Sequence, residues 1–220
     1  MPGEADALRL SLRVAGVATL VTLPIALGLA WLLARARFWG RFALEVLVNL
    51  PLVMPPVVTG WVLVTAFGLG GPLHAIGQWF VFRWTGAALA AGIMALPLMV
   101  RAIRLALDAV DPRYEAAAAT LGASRARVFT SVTLPLAAPG VIAGAVVGFA
   151  KALGEFGATI TFVASIPGET RTLPLAIYGA LQTPDGEAGV VRLALISAGL
   201  SVVALVVAEM LSRRAKAHRR

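Results

Sequence analysis

Residues 86–106 have the sequence GAALAAGIMALPLMVRAIRLA, and the first fifteen of them carry no charge. A helix of about 20 mostly apolar residues is long enough to cross the hydrocarbon core of a bilayer. Four more stretches of similar length and composition lie at about residues 10–33, 46–68, 138–164 and 190–211. Because a backbone in lipid must satisfy its hydrogen bonds within its own segment, these runs predict an all-α, polytopic membrane helical bundle with about five transmembrane helices.

The composition of the 220-residue chain also indicates a lipid environment. Hydrophobic residues make up 59% of the chain and charged residues 14%, with a mean hydropathy of +0.86. A soluble domain has about 25% charged residues, so a soluble globular fold is nearly excluded. The sequence contains no cysteine, which excludes disulfides, thiolate metal sites and cysteine nucleophiles.

Basic residues are distributed unevenly among the segments that separate the apolar runs. Of the 19 Lys and Arg residues, 13 lie in segments 34–45, 101–134 and 212–220. Arg9, Arg83 and Arg171 lie in the segments of the opposite side. Because cytoplasmic loops carry the excess of Lys and Arg, the amino terminus is predicted outside, and the middle loop and carboxy terminus in the cytoplasm. This topology accounts for the net charge of +8, so nucleic acid is not an expected partner.

The chain is predicted to form one membrane domain. No internal repeat or pair of inverted halves relates its two ends, so residues 1–220 are assigned to a single domain with a cytoplasmic loop at about 108–134. The outer segment 165–189 is rich in turn-forming residues, yet it contains the apolar stretch 173–181. We expect that stretch to pack against the bundle.

Motifs for ATP hydrolysis and other catalysis are missing from the sequence. Lys151 and Lys216 are the only lysines, and neither follows a glycine as the lysine of a phosphate-binding loop does. Residues 122–126, GASRA, lack the second glycine of a nucleophile elbow. No pair of His, Asp or Glu has metal-ligand spacing on one helical face. We therefore expect neither an enzyme nor a metal or other cofactor site.

The middle loop contains a short helix with clear start and stop signals. In residues 111–122, DPRYEAAAATLG, Asp111 is suited to the N-cap and Pro112 to the first helical position. Gly122 is suited to the position after the helix end. The four consecutive alanines leave a low-profile face on which another protein can pack closely, although a solvated surface loop is the alternative.

A second helix is predicted in the same loop. Ser124 can cap a helix that runs through Val132, and Pro135 follows shortly afterwards. The loop is therefore predicted to fold as helix, glycine turn and helix before the next transmembrane span begins.

This loop resembles the EAA loop of the permease subunits of binding-protein-dependent ABC importers with the type I fold. The residues that carry the resemblance are Glu115, Ala116, Ala117, Gly122, Val132, Leu134 and Pro135. In the common pattern the Glu stands six residues before the Gly, whereas here Glu115 stands seven residues before Gly122. The resemblance implies the permease fold and makes these residues the loop that couples the chain to an ATP-binding subunit.

Other stretches resemble the molybdate branch of these permeases. They are FAKALGEFGATITFV at 149–163, IPGETRTLP at 166–174, and residues 51–60 and 178–189. The resemblance implies import of molybdate, and of tungstate, which is close to it in size and charge. It also implies a homodimer, two cytoplasmic ATP-binding subunits and an extracytoplasmic oxyanion-binding protein. A sulfate or thiosulfate permease is the nearest alternative, and an ATP-independent channel or a membrane scaffold is a more distant one.

Two charged residues, Lys151 and Glu155, stand four residues apart near the middle of the fourth apolar run. We expect them to pair on one helical face that looks into the bundle or a water-filled path, because an unpaired charge there is costly. The alternative is a pair that only orders helices. Candidate residues for the path or its gate are Lys151, Gly154, Glu155, Phe156, Gly157, Thr159, Met54, Pro55, Pro56 and Thr59. The alternative for these glycines and threonines is close helix packing, and for the prolines a simple kink.

Overall fold

The computed structural model describes residues 2–36, 38–184 and 186–217, and their regular structure is helical. The helices are α1 (Pro2–Arg35), α2 (Arg41–Val53), α3 (Pro56–Phe67), α4 (His74–Gly77), α5 (Trp84–Asp108), α6 (Pro112–Thr120), α7 (Arg125–Val128), a π-helix (Phe129–Thr133), α8 (Leu134–Leu153), α9 (Gly157–Val163), α10 (Leu173–Leu181) and α11 (Glu187–Ala217). Arg37, Arg219 and Arg220, which contribute to the predicted orientation, lie outside the described residues.

Four helices among the described residues are long and apolar enough to cross a membrane. They are α1, α5, the continuous helix Arg125–Leu153 and the first part of α11. The pair formed by α2 and α3 passes the same test as one span, with a bend of 111° between its two helices. The count of four, or five with the bent pair, agrees with the prediction of about five spans.

Helix α5 forms the centre of the bundle and packs between α1 and α8. Its inner faces consist largely of small residues, and Ala87, Ala90 and Ala91 are completely buried. Small residues allow membrane helices to approach each other closely. The approach to α8 is so close that a Cβ added at Gly140 would lie 2.0 Å from the Cβ of Ala106. The α5 helix therefore fixes the positions of its two neighbours.

The second apolar run is broken at Met54 and Pro55. The Met54 N–H donates to the Leu50 carbonyl at 3.0 Å and closes α2, and Pro56 is the first residue of α3. Proline lacks the N–H that a continuing helix would need, but it suits a first turn. The candidates Pro55 and Pro56 thus stand at a break between two helices and not at a simple kink, whereas Pro51 lies inside α2 without ending it.

The fourth apolar run is also broken, which the sequence analysis did not predict. Helix α8 ends at Leu153, and the seven-residue α9 starts at Gly157. Glycines are poor helix formers and stand on both sides of the break. The Glu155 carboxylate accepts a hydrogen bond from the Ala158 N–H at 3.1 Å, which satisfies an amide at the start of α9. The expectation of one helical face for Lys151 and Glu155 was therefore wrong, because Glu155 lies beyond the end of α8.

The second helix of the middle loop does not stop at Val132. Ser124 caps it as predicted, because its Oγ accepts the Arg127 N–H at 3.4 Å. The helix then continues from α7 through the π-helix into α8, as one helix from Arg125 to Leu153. A π-turn is wider than an α-turn and gives room for the ring of Pro135, which a regular helix would crowd against a preceding carbonyl.

The apolar stretch of the outer segment forms α10, and the expectation that it packs on the bundle is confirmed. Leu173 and Leu175 are at most 1% exposed. The Leu173 N–H donates to the Oγ of Ser11 on α1 at 2.7 Å, and both partners are buried. This bond satisfies an amide in the first turn of α10, which has no carbonyl partner within its own helix.

Candidate coupling loop and transport path

Helix α6 projects from the bundle. The Asp111 carboxylate caps it by accepting the Arg113 N–H at 2.9 Å, and Gly122 ends the segment with a φ of +83° that favours glycine. None of the α6 residues is buried. Ala116 and Ala117 are exposed, and so is Leu121 at 88%. The helix therefore presents a low-profile, partly apolar surface at one end of the bundle.

Glu115 differs from its neighbours because it turns toward the bundle. Its Oε1 accepts hydrogen bonds from Arg35 Nη2 at 3.0 Å and from Thr133 Oγ1 at 2.8 Å. The side chain is 24% exposed. Arg35 is the last residue of α1, and Thr133 ends the π-helix. One carboxylate oxygen thus joins the projecting helix to two other elements.

The remaining residues of the predicted coupling loop lie where the π-helix meets α8. Val132 and Leu134 are partly buried there, and Pro135 is exposed. The predicted loop residues therefore fall into two groups. Ala116, Ala117 and Gly122 are exposed on α6 and directly after it. The second group, Val132, Leu134 and Pro135, lies where the π-helix joins α8.

The two breaks in the membrane helices lie next to each other, because α3 packs directly against α9. A Cβ added at Gly157 would lie 2.8 Å from the Cβ of Pro56, and one added at Gly60 would lie 2.5 Å from the Ala158 carbonyl oxygen. Thr159 is 1% exposed at the same junction. The candidates Pro56 and Gly157 are therefore brought together, with Thr59 in the first turns of α3 and Thr159 in the first turn of α9.

Met54 and Pro55 mark the outer edge of this junction. Met54 is partly buried and Pro55 is exposed, so the break in the second span lies at the surface of the single chain. Thr59 is 7% exposed, and its Oγ1 has no hydrogen-bond partner among the described residues.

The Lys151–Glu155 pair lies at the second break. The ammonium of Lys151 contacts Glu155 Oε2, and the Ala158 N–H bonds to Glu155 Oε1, so both carboxylate oxygens have partners. The Glu155 side chain is 3% exposed and the Lys151 side chain 29%. The prediction that these two charges pair is confirmed. The ammonium, with three N–H donors, is the more accessible member.

An aromatic contact covers the same break. The ring centroids of Phe156 and Tyr178 are 5.0 Å apart, with 54° between the ring planes. Phe156 was a candidate from the sequence, and Tyr178 was not. Gly154 lies between the end of α8 and Glu155, where a Cβ would meet little besides the Ala150 carbonyl oxygen at 3.8 Å.

Among the residues that the structure describes, no group of three His, Asp or Glu side chains could hold a metal ion.

Sequence reasoning missed Arg35, Thr133, Gly60 and Tyr178. Arg35 carried a partial signal, since a basic residue in the last turn of a helix suits the helix dipole. Its partner Glu115 is 80 residues away along the chain, and no local pattern links the two. Gly60 carried no signal beyond being a small residue in an apolar run.

Curated relatives of high similarity are molybdenum transport permeases. The chain is 52% identical to the molybdenum transport system permease protein ModB of Escherichia coli K12 over 96% of this chain and 94% of that protein. It is 50% identical to ModB of Haemophilus influenzae Rd, again over 96% and 94%. The sulfate transport system permease protein CysT of Escherichia coli K12 is more distant, with 35% identity over 84% of this chain and 68% of that protein.

Solved structures support the fold independently. The chain superposes on one chain of a bacterial ABC transporter involved in alginate import with a TM-score of 0.78, over 96% of this chain and 79% of that chain. At 19% identity this likeness concerns the fold alone, and it confirms the prediction of an all-α bundle with the fold of an ABC importer permease. Residues 23–217 match the family model of the binding-protein-dependent transport system inner membrane component. The chain therefore belongs to this family of multi-pass inner membrane permeases.

Proposed function

We propose that this chain is the permease subunit of an ATP-driven importer that carries molybdate, and tungstate with it, into the cytoplasm. The observation that carries the proposal is the 52% identity to ModB over nearly the whole of both chains, against 35% to the sulfate permease CysT. Both relatives are transport permeases by name, and the molybdenum transporter is the nearer of the two. The whole chain acts as one transmembrane domain, with its coupling loop at about residues 108–134.

Two copies of the chain are proposed to enclose the path. In the single chain, the Lys151 side chain is 29% exposed in the last turn of α8, at the break within the apolar run 138–164, and Trp61 on α3 is 58% exposed. A charge at this depth is rarely left facing lipid. A second copy related by a two-fold axis would cover this face, and a closed two-fold is the common symmetry of homo-oligomers.

Within the path, Lys151 is proposed to offer the mobile anion a positive charge. Glu155 is engaged by Lys151 and by the Ala158 N–H, so the ammonium is partly compensated. Such a site would bind an oxyanion weakly, and weak binding suits passage because the ion must also leave. The unpartnered hydroxyl of Thr59 is a further donor beside the junction. Selection among anions would then belong to an extracytoplasmic oxyanion-binding protein.

The energy is proposed to come from two cytoplasmic ATP-binding subunits, which this chain contacts through α6. The exposed alanines, together with Tyr114 at 59% and Leu121 at 88% exposure, offer a surface for a groove on such a subunit. This assignment puts α6 and the carboxy terminus in the cytoplasm and the amino terminus outside, as the positions of the basic residues predict.

Reconstitution tests the proposal. The chain would be placed in vesicles with candidate ATP-binding and oxyanion-binding proteins, and ATP-dependent uptake of molybdate, tungstate and sulfate compared. Gly122→Pro should abolish uptake while the chain remains inserted, because proline cannot adopt a φ of +83°. Gly70→Pro, at a φ of +80° in an outer turn, is the matched control for general damage and should retain uptake.

Each outcome of the reconstitution decides between functions. Uptake of molybdate and tungstate that Gly122→Pro abolishes supports the proposal. Preference for sulfate would reassign the chain to the sulfate branch. Uptake that ignores ATP and survives Gly122→Pro would refute the importer subunit in favour of a channel, and the absence of any uptake would favour a membrane scaffold.

A further inference from the structure

Helix α6, which is the coupling helix of the proposed function, is held to the bundle by very few side-chain hydrogen bonds among the described residues. Helix α6 has nine residues, none of them buried, and a helix this short is marginal by itself in water. The Asp111 cap and the bond from Thr120 Oγ1 to the Ala117 carbonyl are local. Within the described part of the chain, the side-chain hydrogen bonds that tie α6 to other helices are those of Glu115.

The partner of Glu115 on α1 depends on this carboxylate. Arg35 Nη2 donates to Glu115 Oε1 and to the Leu107 carbonyl oxygen at the end of α5, both at 3.0 Å. Arg35 Nε is buried and has no partner among the described residues. The guanidinium is 23% exposed, so Glu115 supplies the negative charge that a partly buried cation requires.

A second contact joins α1 to the π-helix. The rings of Trp31 on α1 and Phe129 in the π-helix meet edge to face, with 5.8 Å between their centroids. The π-helix also contributes Thr133, which is 2% exposed and donates to Glu115. π-turns occur often at functional positions in helices. The end of α1 and the π-helix therefore both bond to one carboxylate oxygen of α6, and Arg35 links that oxygen to the end of α5.

We infer that Glu115 is a positioning residue that locks the coupling helix to the ends of α1 and the π-helix, rather than a contact to the ATP-binding subunit. The inference rests on the proposed function, in which α6 couples the ATP-binding subunits to the membrane spans. Its physical content is that α6 transmits displacement to α1 and α8 as one body. Without the lock, α6 would shift on its loop and the spans would stay in place.

Two measurements test the lock in the full chain. The first is hydrogen exchange of amides 113–120 in the chain held in a lipid nanodisc. Glu115→Gln and Arg35→Gln should each speed this exchange roughly tenfold, and the double variant should add little, because both changes break one charged bond. Glu45→Gln is the matched control, since it breaks the Glu45–Arg104 pair on another helix and should leave α6 exchange unchanged.

The second measurement is the molybdate taken up per ATP hydrolysed in the reconstituted complex. Glu115→Gln and Arg35→Gln should both lower this ratio about three- to tenfold while the ATP-binding subunit still binds to the chain. Loss of that binding in Glu115→Gln but not in Arg35→Gln would make Glu115 a partner contact and overturn the inference. Unchanged exchange in both variants would overturn it as well. If the parent chain transports nothing, the proposed function fails, and the exchange result still decides whether the lock exists.

Discussion

Removing either member of the Lys151–Glu155 pair should destabilise the fold by different amounts, because the two side chains differ in burial. Lys151→Met leaves a carboxylate that is 3% exposed and keeps, within the described part of the chain, the Ala158 N–H as its partner. Breaking a buried pair in this way costs about 3–5 kcal/mol. Glu155→Gln keeps a carbonyl oxygen for the Ala158 N–H and leaves an unpaired ammonium on a side chain that is 29% exposed, so its expected cost is about 2 kcal/mol.

The double variant Lys151→Met with Glu155→Gln gives the sharper comparison. It leaves no charge at the break, so it should be more stable than Lys151→Met alone, which requires an interaction energy of about 3 kcal/mol between the two sites, larger than the cost of Glu155→Gln. The assay is the free energy of unfolding of the purified chain in mixed micelles, titrated with dodecyl sulfate and followed by circular dichroism.

Arg104→Met serves as the matched control for this series. It breaks the pairs of Arg104 with Glu45 and Asp108, whose carboxylate side chains are 41% and 48% exposed, and exposed pairs contribute up to about 1 kcal/mol each. The reasoning is refuted if Glu155→Gln costs as much as Lys151→Met, or if the two single losses simply add in the double variant.

Two further predictions concern packing and buried amides. Gly157→Val should lower the free energy of unfolding by about 1–3 kcal/mol, since a Cβ there would lie 2.8 Å from Pro56, whereas Gly199→Val should have little effect because nothing lies within 4 Å. A thermal unfolding curve checks this pair, and equal melting temperatures would contradict it. Ser11→Ala should cost about 1–3 kcal/mol by leaving the buried Leu173 N–H without its acceptor. Hydrogen exchange of the Leu173 amide should rise accordingly, and an unchanged rate would show that another group satisfies it.

The helical spans were predictable because each depends on local composition. An apolar run of about 20 residues needs lipid or a protein core around it whatever its neighbours are, and this is why Trp84–Asp108 was found close to the predicted 86–106. The caps of α6 were predictable for a related reason. Asp111 and Gly122 act on backbone groups within a few residues of themselves, so their effect follows from their place in the sequence.

The break between α8 and α9 was not predictable from the same patterns. Glu155 and Lys151 stand at a spacing that fits one helical face, and apolar residues continue on both sides of them within residues 138–164. The helix stops because a buried carboxylate takes the Ala158 N–H and because α3 packs against the glycine that follows. The hydrogen bond is local, but the burial of Glu155 and the packing of α3 on Gly157 both depend on segments distant in sequence.

The loop at residues 108–134 likewise has features that depend on local sequence and others that depend on distant contacts. From its sequence the loop resembled a docking element, and residues Ala116 and Ala117 are indeed exposed on α6. No local pattern indicates that Glu115 turns inward, because its partner Arg35 is 80 residues away. A hydrogen bond of this kind exists only after α1, α5 and α6 have been brought together by packing.

Composition and periodicity were sufficient for the membrane environment, the number of spans and the caps of the loop, since those properties arise from interactions of the chain with lipid and with its own near neighbours. Two features arose from the assembled bundle. They are the contact of the two broken spans at Pro56 and Gly157, and the hydrogen bonds of Arg35 and Thr133 to Glu115. Contacts between distant segments depend on how the helices pack, and small residues such as Gly60 decide that packing through the space they leave free.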